Sequence, residues 1–350
     1  MLTDNSLLLR DYFFPRINFK NSNEFKKLYA HFQSIQKIPI HVSHFKEGKK
    51  YTSIQIESGF APQEILKKTY SFKKSTIQFT FNQVKCTVNI YSEQDIQTKL
   101  INELLHIIQF VGSLSDITIQ NLILNIYLLD DKKRVTPKTK ELDKKNVNSG
   151  SCLKTDPVII TIYRKEELIK VVIHELIHAF DYDNFEDNEK IIKHYQKKYN
   201  ISSLNINTNE AYTEIWANLI NCYLISQKKG RNQYNLFLVL VALESEFANF
   251  QAQKVFYLTK LNEKKMDINK YTNVLAYYII RSEIYNSINL FLKFCNQQNE
   301  DYIKLRKEEE WFKFLKKNRI IMKNNRRFNT MKKNDYLFTT MRMSLNELDI

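Results

Sequence analysis

Alternating apolar and polar positions predict β-structure in the first half of the chain. Residues 75–81 and 85–91 both alternate, and the polar dipeptide between them favours a turn, so this stretch predicts a β-hairpin. Residues 121–129 and 158–163 are short apolar runs, typical in length and composition of buried strands. The first 60 residues are only weakly periodic.

Apolar residues three and four positions apart predict helices around these strands. One helix has Glu166 and Glu167 near its start and continues without Gly or Pro through Ile177. The other predicted helices cover residues 23–35, 94–114, 209–217, 216–227, 234–258, 268–286 and 287–297. The sequence therefore predicts an α+β fold, in which a small mixed sheet packs on the helix that begins near Glu166 and a mainly helical C-terminal half follows.

The same patterns suggest three regions. They are an N-terminal mixed region at 1–70, a main domain at 71–300 and a basic, partly helical tail at 301–350. Hydrophobic residues make up 43% of the chain and aromatic residues 13%, which is enough for a substantial core. This composition excludes an intrinsically disordered protein.

The cysteines and the apolar windows indicate the compartment. The four cysteines are widely spaced and form no C-x-x-C pair, as expected of reduced thiols: Cys86, Cys152, Cys222 and Cys295. The first residues lack the basic and apolar segments of a secretory signal. The most apolar window, 236–243, is much shorter than the roughly 18 residues of a membrane span. We therefore expect a soluble cytoplasmic protein that does not enter a membrane.

The net charge of +15 is compatible with a nucleic-acid partner. Lys, Asn and Ile are abundant together, however, and we favour the explanation that the codon usage of an AT-rich genome produces a generally basic, solvated surface. The tail combines aromatic residues with a basic stretch formed by Lys316, Lys317, Arg319, Lys323, Arg326 and Arg327. No helix-turn-helix, zinc-finger or RNA-recognition motif accompanies it. We expect the tail to be a solvated amphipathic helix followed by a frayed terminus.

The most specific motif is H-E-x-x-H, formed by His174, Glu175 and His178. On a helix, the spacing of four residues places both imidazoles on one face, where they can bind one Zn²⁺ ion. Glu175 then lies beside the metal and can accept a proton from a water molecule. The sequence therefore predicts a site for one zinc ion, with Glu175 as the general base.

A second helix offers the missing ligand. Catalytic zinc sites usually have three protein ligands, and two histidines leave one position to fill. Glu210 and Glu214 lie one turn apart on the segment 209–217, so one can bind zinc while the other orients a ligand histidine.

These motifs resemble those of the gluzincin metallopeptidases, whose zinc is held by the two histidines of H-E-x-x-H and a glutamate from a later helix. The run N-E-A-Y-T-E-I-W-A is similar to the thermolysin-type N-E-A-x-S-D-I-F-G, which implies Glu210 as ligand and Glu214 as the histidine-orienting carboxylate. The strings H-E-L-I-H-A-F-D and T-E-I-W-A also resemble the mitochondrial inner-membrane peptidases that process an ATP synthase subunit, which implies Glu214 as ligand. We favour Glu210 because its match is longer.

The resemblance covers roughly a sixth of the chain. The abundance of Asn and Lys resembles that of proteins from large DNA viruses and AT-rich protists. No histidine follows His194, so the histidine that stabilises the oxyanion in thermolysin-type enzymes has no counterpart here. Tyr277 and Arg281, one turn apart on a predicted helix, are candidates for this role or for binding a substrate carboxylate.

Two further sets of residues complete the predicted site. Asp181 or Glu214 would accept a hydrogen bond from a ligand imidazole and so orient it. The polar segment before residue 158 would offer backbone groups of Asn148 and Gly150 to an extended substrate, if it forms an edge strand. An ordinary surface loop is an equally good interpretation of this segment.

The sequence thus predicts a zinc-dependent metallopeptidase acting on a peptide or protein, with residues 71–300 as the metallopeptidase-like domain. The alternative is a catalytically inactive, zinc-stabilised module whose basic tail binds nucleic acid or a protein partner. A hydrolase of a non-peptide amide is a lesser possibility. The presence of Glu175 favours the enzyme, because an inert scaffold has no need of a general base. The sequence does not indicate an oligomeric state.

Overall fold

The computed structural model describes residues 2–17, 21–50, 67–69, 71–228, 231–261, 263–318 and 327–349. It has an α+β fold with a six-stranded mixed sheet and a helical C-terminal half, which confirms the predicted fold class. The strands are β1 (Ile40–Lys50), β2 (Lys73–Phe81), β3 (Val84–Ser92), β4 (Asn121–Tyr127), β5 (Gly150–Leu153) and β6 (Val158–Ile162).

Helices account for most of the other described residues. In chain order they are α1 (Asp4–Phe13), α2 (Asn23–Ser34), α3 (Thr98–Gly112), α4 (Lys144–Val147), α5 (Leu168–Ala179), α6 (Glu189–Tyr199), α7 (Thr208–Gln227), α8 (Gln233–Thr259), α9 (Arg281–Asn286), α10 (Ile288–Gln298), α11 (Glu308–Lys317), α12 (Arg327–Thr330) and α13 (Tyr336–Thr339). A π-helical turn, Leu275–Ile280, leads directly into α9. Within the described ranges, no helix is both long and apolar enough to cross a membrane.

The chain forms two compact units, and each is assembled from separate stretches of sequence. One unit, here the sheet unit, consists of Ile35–Lys132 and Asn148–Tyr182 and contains all six strands with α3 and α5. The other, here the helical unit, consists of Met1–Ser34, Lys133–Val147 and Asp183–Asp349.

The sheet has the strand order β1-β2-β3-β4-β6-β5. Strands β1, β2 and β3 are antiparallel neighbours, β3, β4 and β6 are parallel, and β5 pairs antiparallel with β6. The predicted hairpin is β2–β3, and its turn residues Asn82 and Gln83 both have positive φ, at 46° and 64°. Such left-handed turns match the twist of the strands that they connect.

Helix α5 carries the H-E-x-x-H motif and packs against β5, β6 and α3 in the sheet unit. All of its residues are buried, which explains why its apolar positions are not restricted to one face. Just after this helix, the Tyr182 hydroxyl shares its one proton between the carbonyls of Val111 (3.1 Å), in the last turn of α3, and Ser115 (3.0 Å), just beyond that helix. These bonds fix the carboxyl end of α5.

Strand β1 and helix α6 are among the elements that have no counterpart in the predicted pattern. Strand β1 is an edge strand whose side chains from His41 to Lys46 are exposed, so it lacks the alternation that burial of one face imposes. Helix α6 buries Ile191, Tyr195 and Tyr199, which are four residues apart. Because two of the three are tyrosines in a charged segment, this helical period was not recognised in the sequence. The helix predicted from residue 268 begins later, with the π-helical turn.

The prediction of a frayed C-terminus is wrong. Residues 340–346, here the C-terminal segment, are all buried in the helical unit. Side chains hold their backbone: Tyr278 donates to the carbonyl of Met341 (2.7 Å), and Gln251 donates to the carbonyl of Arg342 (2.7 Å). Of the basic stretch, Lys316 and Lys317 end α11 and Arg327 begins α12, whereas Arg319, Lys323 and Arg326 lie outside the described residues.

Candidate metal centre

The two histidines of the motif face one another on α5. Their Nε2 atoms lie 3.0 Å apart, the ring centroids are separated by 4.7 Å, and the ring planes are inclined by 77°. Both side chains are buried, as is Glu175 between them in sequence. Glu167 and Asp181, on either side of the helix, have positive φ. Left-handed residues do not continue a right-handed helix, so they define where the motif helix begins and ends.

The separation of the two nitrogens fits a shared ion. Zinc binds imidazole nitrogens at about 2.0–2.1 Å, so one ion can reach both Nε2 atoms. Two neutral imidazoles at this distance can instead share an N–H···N hydrogen bond. A third ligand beside the pair therefore carries the argument for a metal.

Gly150 makes room for the Glu175 carboxylate. A Cβ atom at residue 150 would lie 2.8 Å from Glu175 Oε1 and 3.1 Å from Val171 Cγ1, because β5 begins directly against α5. Burial raises the pKa of the nearby Tyr163 phenol; the charge of Arg164 lowers it, and the Glu175 carboxylate raises it. Glu175 is thus held between the start of an edge strand and the interior of the sheet unit.

Replacing Gly150 by alanine is expected to lower the free energy of unfolding by about 1–3 kcal/mol, because the methyl group overpacks the contact with Glu175. Urea denaturation measures the change. Leu153→Ala is the matched control on the same strand, since that side chain is 45% exposed and its loss is expected to cost about 0.5 kcal/mol or less. Equal stability of the two variants would contradict a tight contact.

Glu210 lies in the first turn of α7, and two aspartates hold the first two turns of this helix within the helical unit. Asp187 accepts hydrogen bonds from the backbone nitrogen (2.8 Å) and the hydroxyl of Thr208. Asp183 accepts a hydrogen bond from the hydroxyl of Thr213 (2.9 Å). Burial raises the pKa of Asp187, and the hydrogen bonds from Thr208 oppose this rise. The Asp187 carboxylate thus satisfies donors at a helix start whose N-cap residue makes no capping hydrogen bond.

The residues around the π-helical turn contact both candidate glutamates. Asn273 donates its side-chain amide to Glu210 Oε1 at 3.1 Å. Arg281 lies 3.5 Å from Glu214 Oε2 in an ion pair, in which the arginine side chain is fully buried and the glutamate nearly so. The same guanidinium donates a hydrogen bond to the carbonyl of Met343 in the C-terminal segment. The two glutamates therefore have different neighbours: an amide beside Glu210 and an arginine beside Glu214.

The ligand atoms of three residues come together. A ring nitrogen of His174, a ring nitrogen of His178 and a carboxylate oxygen of Glu210 all lie within 4.8 Å of one another. Two imidazoles and one carboxylate are a donor set that suits a divalent metal ion and leaves a position for water or substrate. The residues present thus form a cluster that could hold a metal ion.

The other residues predicted for the site lie in varied surroundings. Asp181 forms an ion pair with Lys154, at 2.7 Å. Tyr277 is half-buried on the π-helical turn, and Asn148 is buried just before β5. Asn273, Asp183 and Asp187 had not been predicted. The aspartates follow the motif in D-Y-D-N-F-E-D, a polar cluster that marks such capping groups, whereas no local pattern distinguishes Asn273.

Comparisons of the chain with protein-family models, with curated proteins and with solved structures found no match. The chemistry of the site is therefore inferred from its own residues.

Proposed function

We propose that this protein is a zinc-dependent peptidase. The observation that carries the proposal is the cluster of His174, His178 and Glu210, combined with a buried carboxylate, Glu175, directly after the first histidine. This is the donor set and the order of residues that the resemblance to gluzincins implies. Zinc is the metal that two imidazoles and a carboxylate favour most often in hydrolytic sites.

When bound, the zinc ion supplies a Lewis acid that polarises a carbonyl group and lowers the pKa of a water molecule. Glu175 does the proton chemistry: it accepts the proton of the attacking water and later donates it to the leaving amine. Its contact with Gly150 keeps the carboxylate in one position during both transfers.

The edge of the sheet supports a peptide as substrate. Strand β5 lies at the end of the strand order and pairs with β6 on one side. An extended peptide that adds to its other side would form main-chain hydrogen bonds next to Glu175, since Gly150 contacts that side chain. This arrangement uses the backbone groups of Gly150 that the sequence suggested.

Arg281 has a supporting role in this proposal. Its guanidinium is fully buried, forms an ion pair with Glu214 and donates a hydrogen bond to the Met343 carbonyl, so it holds the charge of Glu214 in place on α7. Tyr277 remains the candidate for stabilising the oxyanion.

The metal content of the purified protein tests the proposal. Elemental analysis should find about one zinc per wild-type chain, and much less in His178→Ala and Glu210→Ala, because each removes a ligand. Glu214→Ala should retain more zinc than Glu210→Ala. The matched control is Glu189→Ala, which removes an exposed carboxylate that pairs with Lys193 and should keep the wild-type content. A wild-type protein that binds no zinc after reconstitution would overturn the proposed function.

A further inference from the structure

A chain of two amides ends on Glu210. Asn207 donates its side-chain amide to Asn273 Oδ1 at 2.7 Å, and Asn273 donates its own amide to Glu210 Oε1 at 3.1 Å. All three residues belong to the helical unit, and Asn207 directly precedes α7, whose first turn contains Glu210.

The first hydrogen bond determines the direction of the second. An asparagine side chain has one acceptor oxygen and one donor NH₂ group. Because the oxygen of Asn273 accepts the hydrogen bond from Asn207, its NH₂ group is the one directed at Glu210. A donor is what a ligand carboxylate needs from its neighbour, since it favours the charged form of the carboxylate and restricts its rotation.

Asn207 occupies a helix N-cap position, where an asparagine side chain usually caps the helix. It is the N-cap residue of α7, with a φ of 55°, yet its side chain makes no capping hydrogen bond. Asp187 caps the first turn of the helix instead, through Thr208. The side chain of Asn207 is therefore used for Asn273 rather than for the stability of the helix.

Asn273 is itself held at a fixed place. Its carbonyl accepts a hydrogen bond from the backbone nitrogen of Tyr277 at 3.0 Å. Asn269 supports the same turn, because its Oδ1 accepts a hydrogen bond from the backbone nitrogen of Leu275 at 2.9 Å. The amide that reaches Glu210 thus projects from a well-anchored turn, whereas Glu210 is only half-buried and has three rotatable bonds of its own.

We propose that Asn273 is a positioning residue for the metal, which holds the Glu210 carboxylate in its binding orientation and is itself oriented by Asn207. This inference rests on the proposed function, because it takes Glu210 to be the third zinc ligand. Asn273 acts through Glu210 and does not touch the substrate.

The test is the zinc affinity of Asn273→Leu, a substitution of similar size without a donor. Competition with a chromophoric chelator should show a dissociation constant for zinc about 10–100-fold higher than that of the wild type, the usual effect of removing a partner of a metal ligand. The visible absorption spectrum of the cobalt-substituted protein should change as well, because the orientation of one ligand changes. Asn289→Leu is the matched control, since it makes the same substitution at a half-buried asparagine on α10 that accepts a hydrogen bond from the Ser22 hydroxyl (2.6 Å), and it should leave both readouts unchanged.

A double-mutant cycle tests the role of Asn207. Asn207→Ala should weaken zinc binding less than Asn273→Leu, and it should add almost nothing when Asn273 is already leucine, because it acts only through that amide. If the effects of the two substitutions on zinc affinity are additive, Asn207 does not act through Asn273 and this part of the inference is wrong.

The possible failures are distinguishable. If Asn273→Leu lowers the melting temperature of the metal-free protein but leaves zinc affinity and the cobalt spectrum unchanged, Asn273 has a merely structural role and the inference is wrong. If the wild type itself binds no zinc, the proposed function fails first.

Discussion

Replacing Glu175 by glutamine is expected to lower the rate of peptide hydrolysis by about 10²–10⁴-fold while the zinc content stays at the wild-type level. Glutamine has nearly the same shape as glutamate, so it still fits in the space that Gly150 leaves open. It cannot accept and return a proton, however, and both proton transfers depend on that carboxylate. The change therefore separates the proton chemistry from the binding of the metal.

The measurement combines initial rates on a fluorescently labelled, unfolded protein such as casein with elemental analysis of the same preparations. His178→Ala should lose both activity and metal, and Glu189→Gln, at an exposed position, should lose neither. Wild-type activity in Glu175→Gln would show that Glu175 is not the general base. Loss of zinc in that variant would show that Glu175 contributes to the metal site itself.

Replacing Glu244 by alanine is expected to destabilise the protein more than any substitution at the surface, by at least about 3–5 kcal/mol. Glu244 is completely buried on α8, and burial raises the pKa of its carboxyl group while several hydrogen bonds oppose that rise. It accepts hydrogen bonds from the Ser344 hydroxyl (2.6 Å) and from the backbone nitrogens of Leu345 (3.0 Å) and Asn346 (2.9 Å). Alanine would take this acceptor away from the buried backbone nitrogens of Leu345 and Asn346.

Equilibrium unfolding in urea, followed by far-UV circular dichroism, measures this effect. Glu246→Ala is the matched control two positions along the same helix, because Glu246 is only half-buried and its loss should cost about 0.5 kcal/mol or less. A similar free energy of unfolding for both variants would contradict the structural role assigned to the C-terminal segment. If Glu244→Ala is too unstable to purify, Ser344→Ala removes one donor alone and is expected to cost about 1 kcal/mol.

The parts of the fold that local patterns determine were predictable. The β2–β3 hairpin combines alternation with turn residues, strands β4 and β6 are short apolar runs, helices α2 and α3 have apolar residues at helical spacing, and helices α5 and α8 are apolar stretches without Gly or Pro. The histidine pair was predictable for the same reason, since residues four apart on a helix share a face. The grouping of Glu210 with these histidines followed from motif resemblance and not from periodicity.

The remaining features depend on contacts that no local pattern encodes. Asn273 is far from Glu210 in sequence, and one asparagine in a chain rich in asparagine has no distinguishing context. The C-terminal segment is buried because side chains such as Gln251 and Tyr278 bind its carbonyl groups, and such bonds place no constraint on the segment's own residue types. Its place after the basic stretch therefore suggested solvent exposure.

The burial of the C-terminal segment also determines when the helical unit can complete its folding during protein synthesis. Helix α8 contains Glu244 and Gln251, which are translated roughly 90–100 residues before their partners at 340–346, on the order of 5–20 seconds earlier at 5–20 residues per second. Throughout that interval the residues that bind Glu244 and Gln251 in the folded protein have not yet been made. This is the period in which a ribosome-associated chaperone would be most useful to the chain, because folding of the helical unit has to wait for residues that the ribosome has not yet made.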